Sequence, residues 1–233
     1  MKFNIIYSIP IIFLQCYLIL TLIMFQFGPI NYKVLDPLLF WMFILSYHLC
    51  FLFARNHHPA MKYVAAPRKE LGIRTIFNLI GPLCNPAQVK YQVIGTTTKE
   101  LAEKLSLSLQ RLGIHRAMVV IGGDGRDELS LSGRSEILDV TEDFVDTLDF
   151  SAEEMEIAED LSPYCFETAR ENAVLFKDVF STNDDQHPIS KWVAVNSALA
   201  LFCLGREDSI ESGYAVALDA IFQGLVWQKY ETY

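Results

Sequence analysis

Basic residues are scarce in this chain of 233 residues, which has 19 lysines and arginines against 28 acidic residues and a formal net charge of −9. No local concentration of basic residues offsets this balance, so a nucleic-acid backbone would be repelled and a nucleic-acid-binding function is excluded. Charged residues make up 20% of the chain and apolar residues 52%, with a mean hydropathy of +0.24. This apolar content excludes intrinsic disorder as the main state.

Cysteine is also infrequent, and the five cysteines are far apart in the sequence, at Cys16, Cys50, Cys84, Cys165 and Cys203. Their number is odd, and no pair has the spacing of a CxxC motif or a zinc finger. The chain is too long for a small disulfide scaffold. We therefore expect buried or half-buried free thiols in a reducing compartment.

Formal charge is almost absent from the first 54 residues, where the charged residues are Lys2, Lys33 and Asp36. The uncharged stretch 5–27 is mostly Ile, Leu, Phe, Met and Tyr, and it is long enough to cross a bilayer as a helix. No small-x-small site follows it, so a cleavable signal peptide fits less well. Two interpretations stay open: residues 5–27 form a membrane-anchoring helix, or residues 1–49 are a mis-joined, artefactual segment.

A second uncharged run, residues 37–54, is short for a membrane span. Its end, residues 51–53, is an apolar run that we expect to be a core strand. We therefore predict at most one membrane span, within residues 5–27, with strand structure resuming by Phe51. Basic residues that follow the run would keep the remainder of the chain in the cytosol. The expected location is the cytoplasm or the interior of an organelle.

From residue 50 onward the pattern is that of an α/β domain. Residues 91–95 and 117–121 are runs typical of strands, and the second is continuously apolar, as in a sheet covered on both faces. Between them, residues 99–112 carry leucines on one helical face, with Thr98 as the predicted N-cap and Gly113 as the stop. A strand–helix–strand unit of these lengths predicts parallel pairing in a sheet flanked by helices.

Three further helices and an acidic segment complete the predicted organisation. Residues 70–79 are expected to form a helix that the following glycine–proline pair, beginning at Gly81, terminates. Residues 139–160 are strongly acidic and are expected at an edge or on the surface. Residues 192–204 predict an apolar helix, and residues 210–225 predict an amphipathic one.

A glycine-rich turn with two adjacent carboxylates follows the second predicted strand. The turn, residues 122–125, lacks the GxxxxGK[ST] spacing of a phosphate-binding loop. Asp127 and Glu128 come directly after it, beyond a strand end, where ligand sites of α/β proteins usually lie. From the pattern alone the two acids are either a metal-binding pair or surface acids in a polar turn.

Three motifs carry a resemblance to a known family. They are His58-Pro59-Ala60-Met61, the long run from Arg68 to Ala87 (RKELGIRTIFNLIGPLCNPA), and Asp124 to Ser130 (DGRDELS), with Asn196-Ser197-Ala198 as a weaker fourth. The run from residue 68 to residue 87 is nearly ungapped against the family pattern R-x-LG-x-RT-x-FN-x-x-GPL-x-NP. On these residues the chain resembles the anthranilate phosphoribosyltransferase family over about three quarters of its length.

The resemblance implies a fold and a reaction. The expected fold is a partial α/β domain like those of nucleoside phosphorylases and phosphoribosyltransferases, here residues 50–233, a glycosyltransferase family 3-like domain. The implied reaction transfers the phosphoribosyl group from phosphoribosyl pyrophosphate to the amine of anthranilate and releases pyrophosphate, with Mg²⁺ required. Members of the family form homodimers.

Residue by residue, the resemblance implies two groups of site residues. Asp127 and Glu128 match the magnesium-binding pair of the family. Arg68 matches its anthranilate-binding arginine, whose planar guanidinium suits a carboxylate. His58 and Pro82 match positions that line the anthranilate entrance.

The chain departs from the family on the donor side. The GTGGD, N-x-S and K-H-G-N elements, which bind pyrophosphate and ribose phosphate in the family, do not occur in the sequence. We therefore expect an incomplete domain whose activity alone is very low or nil. Three hypotheses stay open: an incomplete anthranilate phosphoribosyltransferase, a non-catalytic and membrane-tethered degenerate paralogue or binding module, and a pyrimidine nucleoside phosphorylase-like transferase.

Overall fold

The computed structural model describes residues 63, 70, 77–85, 88–166 and 168–232. The predicted anchor at residues 5–27, the expected strand at residues 51–53, His58 and Arg68 lie outside these residues, and so does most of the predicted helix 70–79. Within the described part, no helix combines the length and the apolar character that a membrane crossing needs.

Six helices and four strands of the described chain build a mixed α/β fold, which confirms the predicted fold class. In chain order they are α1 (Phe77–Leu83), β1 (Tyr91–Gly95), α2 (Lys99–Arg111), β2 (Arg116–Ile121), β3 (Arg134–Thr141), β4 (Val145–Ser151), α3 (Ala169–Ser181), α4 (Pro188–Cys203), α5 (Ile210–Phe222) and α6 (Leu225–Thr232), with a short 3₁₀ turn at Ser162–Tyr164 before α3.

The four strands form one sheet in the order β1-β2-β3-β4. β1 and β2 are parallel, with Tyr91 opposite Arg116 and Gly95 opposite Val120. β2–β3 and β3–β4 are antiparallel pairs. The predicted strand–helix–strand unit is therefore confirmed, and Gly113, with φ of +69°, takes the left-handed conformation that ends α2.

The sheet is covered on both faces, as the continuous apolar run of β2 predicted. Because side chains alternate along a strand, Met118 and Val120 point into a core shared with α3, α4 and α5, while Ala117 and Val119 point into a second core against α2. Burial of β2 on both sides fixes its register, since a slip by one residue would exchange the two sets.

Helix α4 is apolar around most of its circumference because most of it is buried, between the sheet and α5. α5 approaches it closely at Gly213, where an added Cβ would lie 3.0 Å from the Cα of Ala198. At the far end of α4, the guanidinium of Arg116 on β2 donates to the carbonyl of Phe202 and stacks over its ring, 4.4 Å from the centroid. α4 is thus attached to the sheet along its length.

Three details of the helix boundaries differ from the sequence prediction. α1 does not stop at Gly81 but continues through Pro82 to Leu83, because proline has a helical φ and its missing N–H removes only one bond near the end of so short a helix. Thr98 occupies the N-cap position of α2, yet its side chain makes no capping bond. The helix predicted over residues 210–225 ends at Phe222, and a further helix, α6, follows Gly224, which has φ of +71°.

The acidic segment is only partly on the edge of the sheet. β4 is an edge strand with mostly exposed side chains, as expected. Asp139, however, lies on the interior strand β3 and is buried. Arg116 makes two hydrogen bonds to it, of 2.9 and 2.7 Å, so the buried carboxylate is paired with a fixed cation.

The cysteines of the described chain form no disulfide. Cys203 is buried, as expected, and burial raises the pKa of its thiol to about 11. Cys84 and Cys165 are exposed, so the expectation of burial is wrong for these two. Both follow short helical turns that end at the surface, at Leu83 and at Tyr164.

His187 is the N-cap of α4, which begins at Pro188, four residues before the predicted start of this helix. Its Nδ1 accepts a hydrogen bond of 3.1 Å from the backbone N–H of Ile189, and its ring packs edge-on against Tyr164. Nδ1 accepts only while it carries no proton. Partial burial lowers the pKa of His187 below the ordinary 6.5, although the nearby Asp184 opposes the shift.

This cap predicts an acid sensitivity of stability. Since the folded-state pKa of His187 is the lower one, its contribution is full above about pH 6.5 and is lost as the pH falls through the lowered pKa. A protonated imidazole would face the Ile189 N–H and the positive end of α4. We expect His187→Asn to retain the cap but to remove this pH dependence, and His187→Ala to lose about 1 kcal/mol of stability at neutral pH. Urea unfolding of the three proteins between pH 5 and pH 8 measures this; parallel pH profiles for wild type and His187→Asn would contradict it.

Candidate active site

A tight turn, residues 122–130, lies where the parallel strands β1 and β2 end. Its backbone closes on itself through a hydrogen bond of 2.9 Å from Gly122 N–H to the carbonyl of Arg126 and one of 3.0 Å from Gly125 N–H to the carbonyl of Gly122. We call residues 122–130 the acid turn, because Asp127 and Glu128 lie near its middle.

The acid turn packs directly on the end of β1. A Cβ at Gly95, the last residue of that strand, would overlap the carbonyl oxygen of Asp127 and lie 2.8 Å from its Cβ. At Gly122 an added Cβ would lie 2.5 Å from the carbonyl oxygen of Glu128. Glycine is therefore required at both positions for the backbone to approach this closely, and the carboxylate pair is brought to the carboxyl edge of the sheet.

On its other side the acid turn is attached to α4. The side chain of Asn196 accepts a hydrogen bond of 2.7 Å from the backbone N–H of Leu129 and donates one of 3.0 Å to its carbonyl. Trp192 Nε1 donates to the same carbonyl at 2.8 Å. The peptide groups of the residue after Glu128 are thus bound by two side chains of one buried helix.

Arg126 covers the turn from outside. Its Nε lies 3.2 Å from Asp124 Oδ2, and its Nη2 donates to the sulfur of Cys165 at 3.0 Å. The guanidinium also lies over the ring of Trp192, 5.1 Å from the centroid. These contacts hold a positive charge beside the two acids without neutralising either of them by direct contact.

Asp127 and Glu128 differ in their surroundings. Asp127 is exposed and Glu128 is half-buried, and in the described part of the chain neither carboxylate is hydrogen-bonded or ion-paired. Burial raises the pKa of Glu128 to about 8, with a further contribution from the negative charge of Asp127 and an opposing one from Arg126. An acid that resists ionisation without a partner is characteristic of functional sites.

The pair fits a magnesium ion by its donor chemistry. Mg²⁺ prefers oxygen ligands and is commonly held by one or two carboxylates, with waters and substrate phosphates completing its shell. Two unpaired carboxylates supply such a set, and a cation would offset their mutual repulsion. Among the described residues there is no cluster of three or more side chains that could hold a metal by themselves, so the remaining ligands would be water or substrate.

Pro82, the described residue of the expected anthranilate entrance, lies on α1. Its carbonyl accepts a hydrogen bond of 2.7 Å from the side chain of Gln92, near the start of β1. The acids lie at the other end of that strand, so the described contacts do not join Pro82 to them. The predictions for His58 and Arg68 concern residues outside the described part and remain predictions.

Comparison with known proteins assigns the chain to a family. Residues 40–226, most of the chain, match the family described as "Glycosyl transferase family, a/b domain". The chain belongs to this family. Curated relatives of the chain are named anthranilate phosphoribosyltransferase, and the resemblance expected from the sequence motifs is confirmed.

A curated sequence relative and two solved structures support the assignment of this chain to the glycosyl transferase family. The anthranilate phosphoribosyltransferase of Halalkalibacterium halodurans is 39% identical over 184 residues, which are 78% of this chain and 53% of that protein. The crystal structure of the Thermus thermophilus enzyme superimposes with a TM-score of 0.73 at 32% identity, covering 83% of this chain and 57% of that one. The Saccharomyces cerevisiae enzyme in complex with PRPP and Mg superimposes with a TM-score of 0.68 at 25% identity, over 80% and 52%.

This chain spans about half the length of the curated relatives that it matches. The activity and substrates of those relatives are properties of the full-length proteins. What the match establishes directly is the family and the fold of the matched portion.

Sequence reasoning assigned no role in the site to three residues that support the acid pair: Gly95, Trp192 and Asn196, although Asn196 stood in a motif of the resemblance. One signal was present for Asn196, since an amide in the middle of an apolar helix must find a hydrogen-bond partner when it is buried. The signal at Gly95 was weaker: a glycine at the end of a strand often marks a place where another backbone approaches closely. The partners themselves lie far away in sequence, so neither contact was readable from local pattern.

The close packing at Gly95 yields a test of the turn. Gly95→Ala would force the backbone of Asp127 away from β1, and we expect it to destabilise the protein by roughly 1–3 kcal/mol, as overpacking does. Gly81→Ala is the matched control, because Gly81 lies in a helix with nothing within 4 Å of the added Cβ. It should be neutral or stabilising by roughly 0.5–1 kcal/mol. Urea unfolding of both variants measures the difference; equal stability for the two would disprove the close approach.

Proposed function

We propose that this chain carries the magnesium–pyrophosphate side and the acceptor side of an anthranilate phosphoribosyltransferase active site. The observation that carries the proposal is the coincidence of the family match over residues 40–226 with an unpaired carboxylate pair at the carboxyl edge of the sheet. The proposed reaction transfers the phosphoribosyl group of phosphoribosyl pyrophosphate to the amine of anthranilate and releases pyrophosphate.

The chemistry explains why the site needs carboxylates that carry no other partner. The bond between ribose C1 and the pyrophosphate oxygen breaks, so positive charge develops on the sugar while the amine nitrogen approaches C1. Magnesium held by Asp127 and Glu128 would offset the negative charge of the departing pyrophosphate. Both side chains emerge from a backbone that is fixed by β1 and α4, so their positions are set before the substrate arrives.

Recognition of the acceptor is proposed for Arg68, from its match to the family motif. Anthranilate carries a planar carboxylate next to its amine, and a guanidinium binds a carboxylate with two parallel hydrogen bonds. His58 and Pro82 are proposed to border the entrance for the aromatic ring. Binding of the carboxylate by Arg68 would orient the amine toward the sugar.

Donor binding is the weaker part of the site. The sequence has no GTGGD, N-x-S or K-H-G-N element, and these elements supply backbone N–H groups and side chains for phosphates in the family. Without them, the phosphates of the donor would depend on the metal and on few other groups. We therefore expect weak donor binding and slow turnover by this chain alone.

The first test concerns the acid pair. The double variant Asp127→Asn, Glu128→Gln keeps the shape of both side chains but removes their charge. We expect it to weaken binding of magnesium pyrophosphate to the full chain by tenfold or more, about 1.4 kcal/mol, because the metal loses both protein ligands. Isothermal titration calorimetry at fixed Mg²⁺ concentration measures the affinity.

A matched control is available in the turn between β3 and β4. Glu142 and Asp143 are also adjacent acids, and both are exposed, so Glu142→Gln with Asp143→Asn removes two carboxyl groups away from the site. This variant should bind magnesium pyrophosphate like the wild type. Equal losses in the two double variants would reduce the effect to net charge and contradict the assignment of the acid pair.

The second test concerns Arg68. Removing one partner of a charge-assisted pair costs about 1.5–3 kcal/mol, so Arg68→Ala should weaken anthranilate binding by about tenfold or more. Arg68→Lys should also bind more weakly than the wild type, because an ammonium cannot form the two-pronged contact. The intrinsic fluorescence of anthranilate reports its binding, and identical affinities for wild type and Arg68→Ala would remove Arg68 from the site.

Turnover separates an enzyme from a binding module. With phosphoribosyl pyrophosphate and Mg²⁺ present, consumption of anthranilate should be measurable for the wild type and abolished by the Asp127→Asn, Glu128→Gln double variant. Ligand binding by the wild type without turnover would favour the non-catalytic binding module.

A further inference from the structure

A polar side chain at the centre of α4 has an unusual set of partners. Asn196 is 3% exposed and lies in a helix whose other buried residues are almost all apolar. Its amide pairs with both backbone groups of Leu129, accepting from the N–H at 2.7 Å and donating to the carbonyl at 3.0 Å. The Asn196 side chain thus pairs with the N–H and the C=O of Leu129, as the backbone of a neighbouring strand does in a β-sheet.

Further contacts fix the orientation of this amide. Asn196 Nδ2 also donates to the carbonyl of Trp192 one helical turn earlier, at 3.0 Å, and Trp192 Nε1 donates to the Leu129 carbonyl at 2.8 Å. Leu129 is fully buried. If the Asn196 side chain were removed, the backbone N–H of Leu129 would stay buried and would lose this hydrogen-bond acceptor. A buried donor without an acceptor is energetically costly.

The contact between Asn196 and Leu129 lies next to the proposed metal-binding pair, Asp127 and Glu128, in the sequence. Leu129 is the residue directly after Glu128, and Asp127 is the residue whose backbone rests on Gly95. The two carboxylates therefore emerge from a dipeptide that is fixed by β1 before it and by α4 after it. Mg²⁺ requires near-octahedral geometry at about 2.0–2.1 Å, so a shift of the dipeptide by a fraction of an ångström would impair binding.

We infer that Asn196 is a positioning residue for the Asp127–Glu128 pair, acting through the backbone of Leu129 without touching metal or substrate. This inference rests on the proposed function, since it assumes that the pair binds magnesium. Trp192 supports the same carbonyl and contributes less, because it supplies one of the three hydrogen bonds.

The test compares two buried polar residues that are neighbours in α4. Asn196→Ala removes the contact with Leu129. Ser197→Ala is the matched control: Ser197 is also buried, but its hydroxyl donates to the carbonyl of Val193 within the helix, at 2.8 Å. Both variants lose a buried hydrogen bond of α4, and only one of them loses a bond to the acid turn.

The primary readout is the affinity of the full chain for Mn²⁺, used as a paramagnetic substitute for Mg²⁺ and measured by electron paramagnetic resonance. We expect Asn196→Ala to weaken Mn²⁺ binding by about tenfold or more, as removal of outer-shell support does at metal sites, and Ser197→Ala to bind like the wild type. Trp192→Phe keeps the aromatic packing and removes one hydrogen bond, and it should weaken binding in the same direction by less. It also decides the question if Asn196→Ala does not fold.

The second readout needs no metal. Hydrogen exchange of the metal-free protein should be faster over residues 127–130 in Asn196→Ala than in Ser197→Ala, because only the former releases the Leu129 amide. A wild-type chain that binds Mn²⁺ and an Asn196→Ala variant that binds it equally well overturn this inference and leave the proposed function intact. A wild-type chain that binds no Mn²⁺ overturns the metal assignment itself, and the inference with it.

Discussion

The pairing of the Asn196 amide with the backbone of Leu129 is the constraint on which the candidate site depends. It joins the buried helix α4 to the turn that bears the acids. α4 can hold that turn in place only because α4 is itself fixed at both ends. His187 caps its first turn, and Arg116 on β2 binds the carbonyl of Phe202 in its last turn. Since α4 packs on the sheet and on α5, the Asn196 amide links the acid turn to these elements, in addition to the turn's direct contact with β1 at Gly95.

The parts of the fold that sequence predicted are those with local causes. The β1–α2–β2 unit followed from an apolar run, a leucine face and Gly113, all read within one window of the chain. The start of α4 was missed by four residues, although His187 followed by a proline at the first helical position was a legible start signal. The buried position of Asp139 was missed for a different reason. Its partner cation, Arg116, lies 23 residues away on another strand, and the acidic composition around Asp139 indicated only an edge or surface position.

The candidate site shows the same division. Asp127 and Glu128 were assigned to the site through a family motif, whereas their pattern alone favoured a polar surface turn. Desolvation of Glu128 and the contact of Asp127 with Gly95 depend on how the turn packs across the end of β1. Neither property can be read from the motif, because burial and packing depend on the elements that surround the turn. Asn196 was visible as a polar residue in an apolar helix, but its partner lies 67 residues away.

The raised pKa of Glu128 gives a reason for this rigid scaffold. A half-buried carboxylate beside a second acid opposes its own ionisation, and a flexible turn would relieve that opposition by swinging one side chain into water. Gly95, Gly122 and Asn196 prevent such relaxation because they fix the backbone on both sides of the pair. If the pair binds magnesium as proposed, the cation would replace the proton of Glu128 and would supply the opposite charge that neither acid obtains by direct contact within the described part of the chain. Stability given up at this turn is thus consistent with selection for binding rather than for folding.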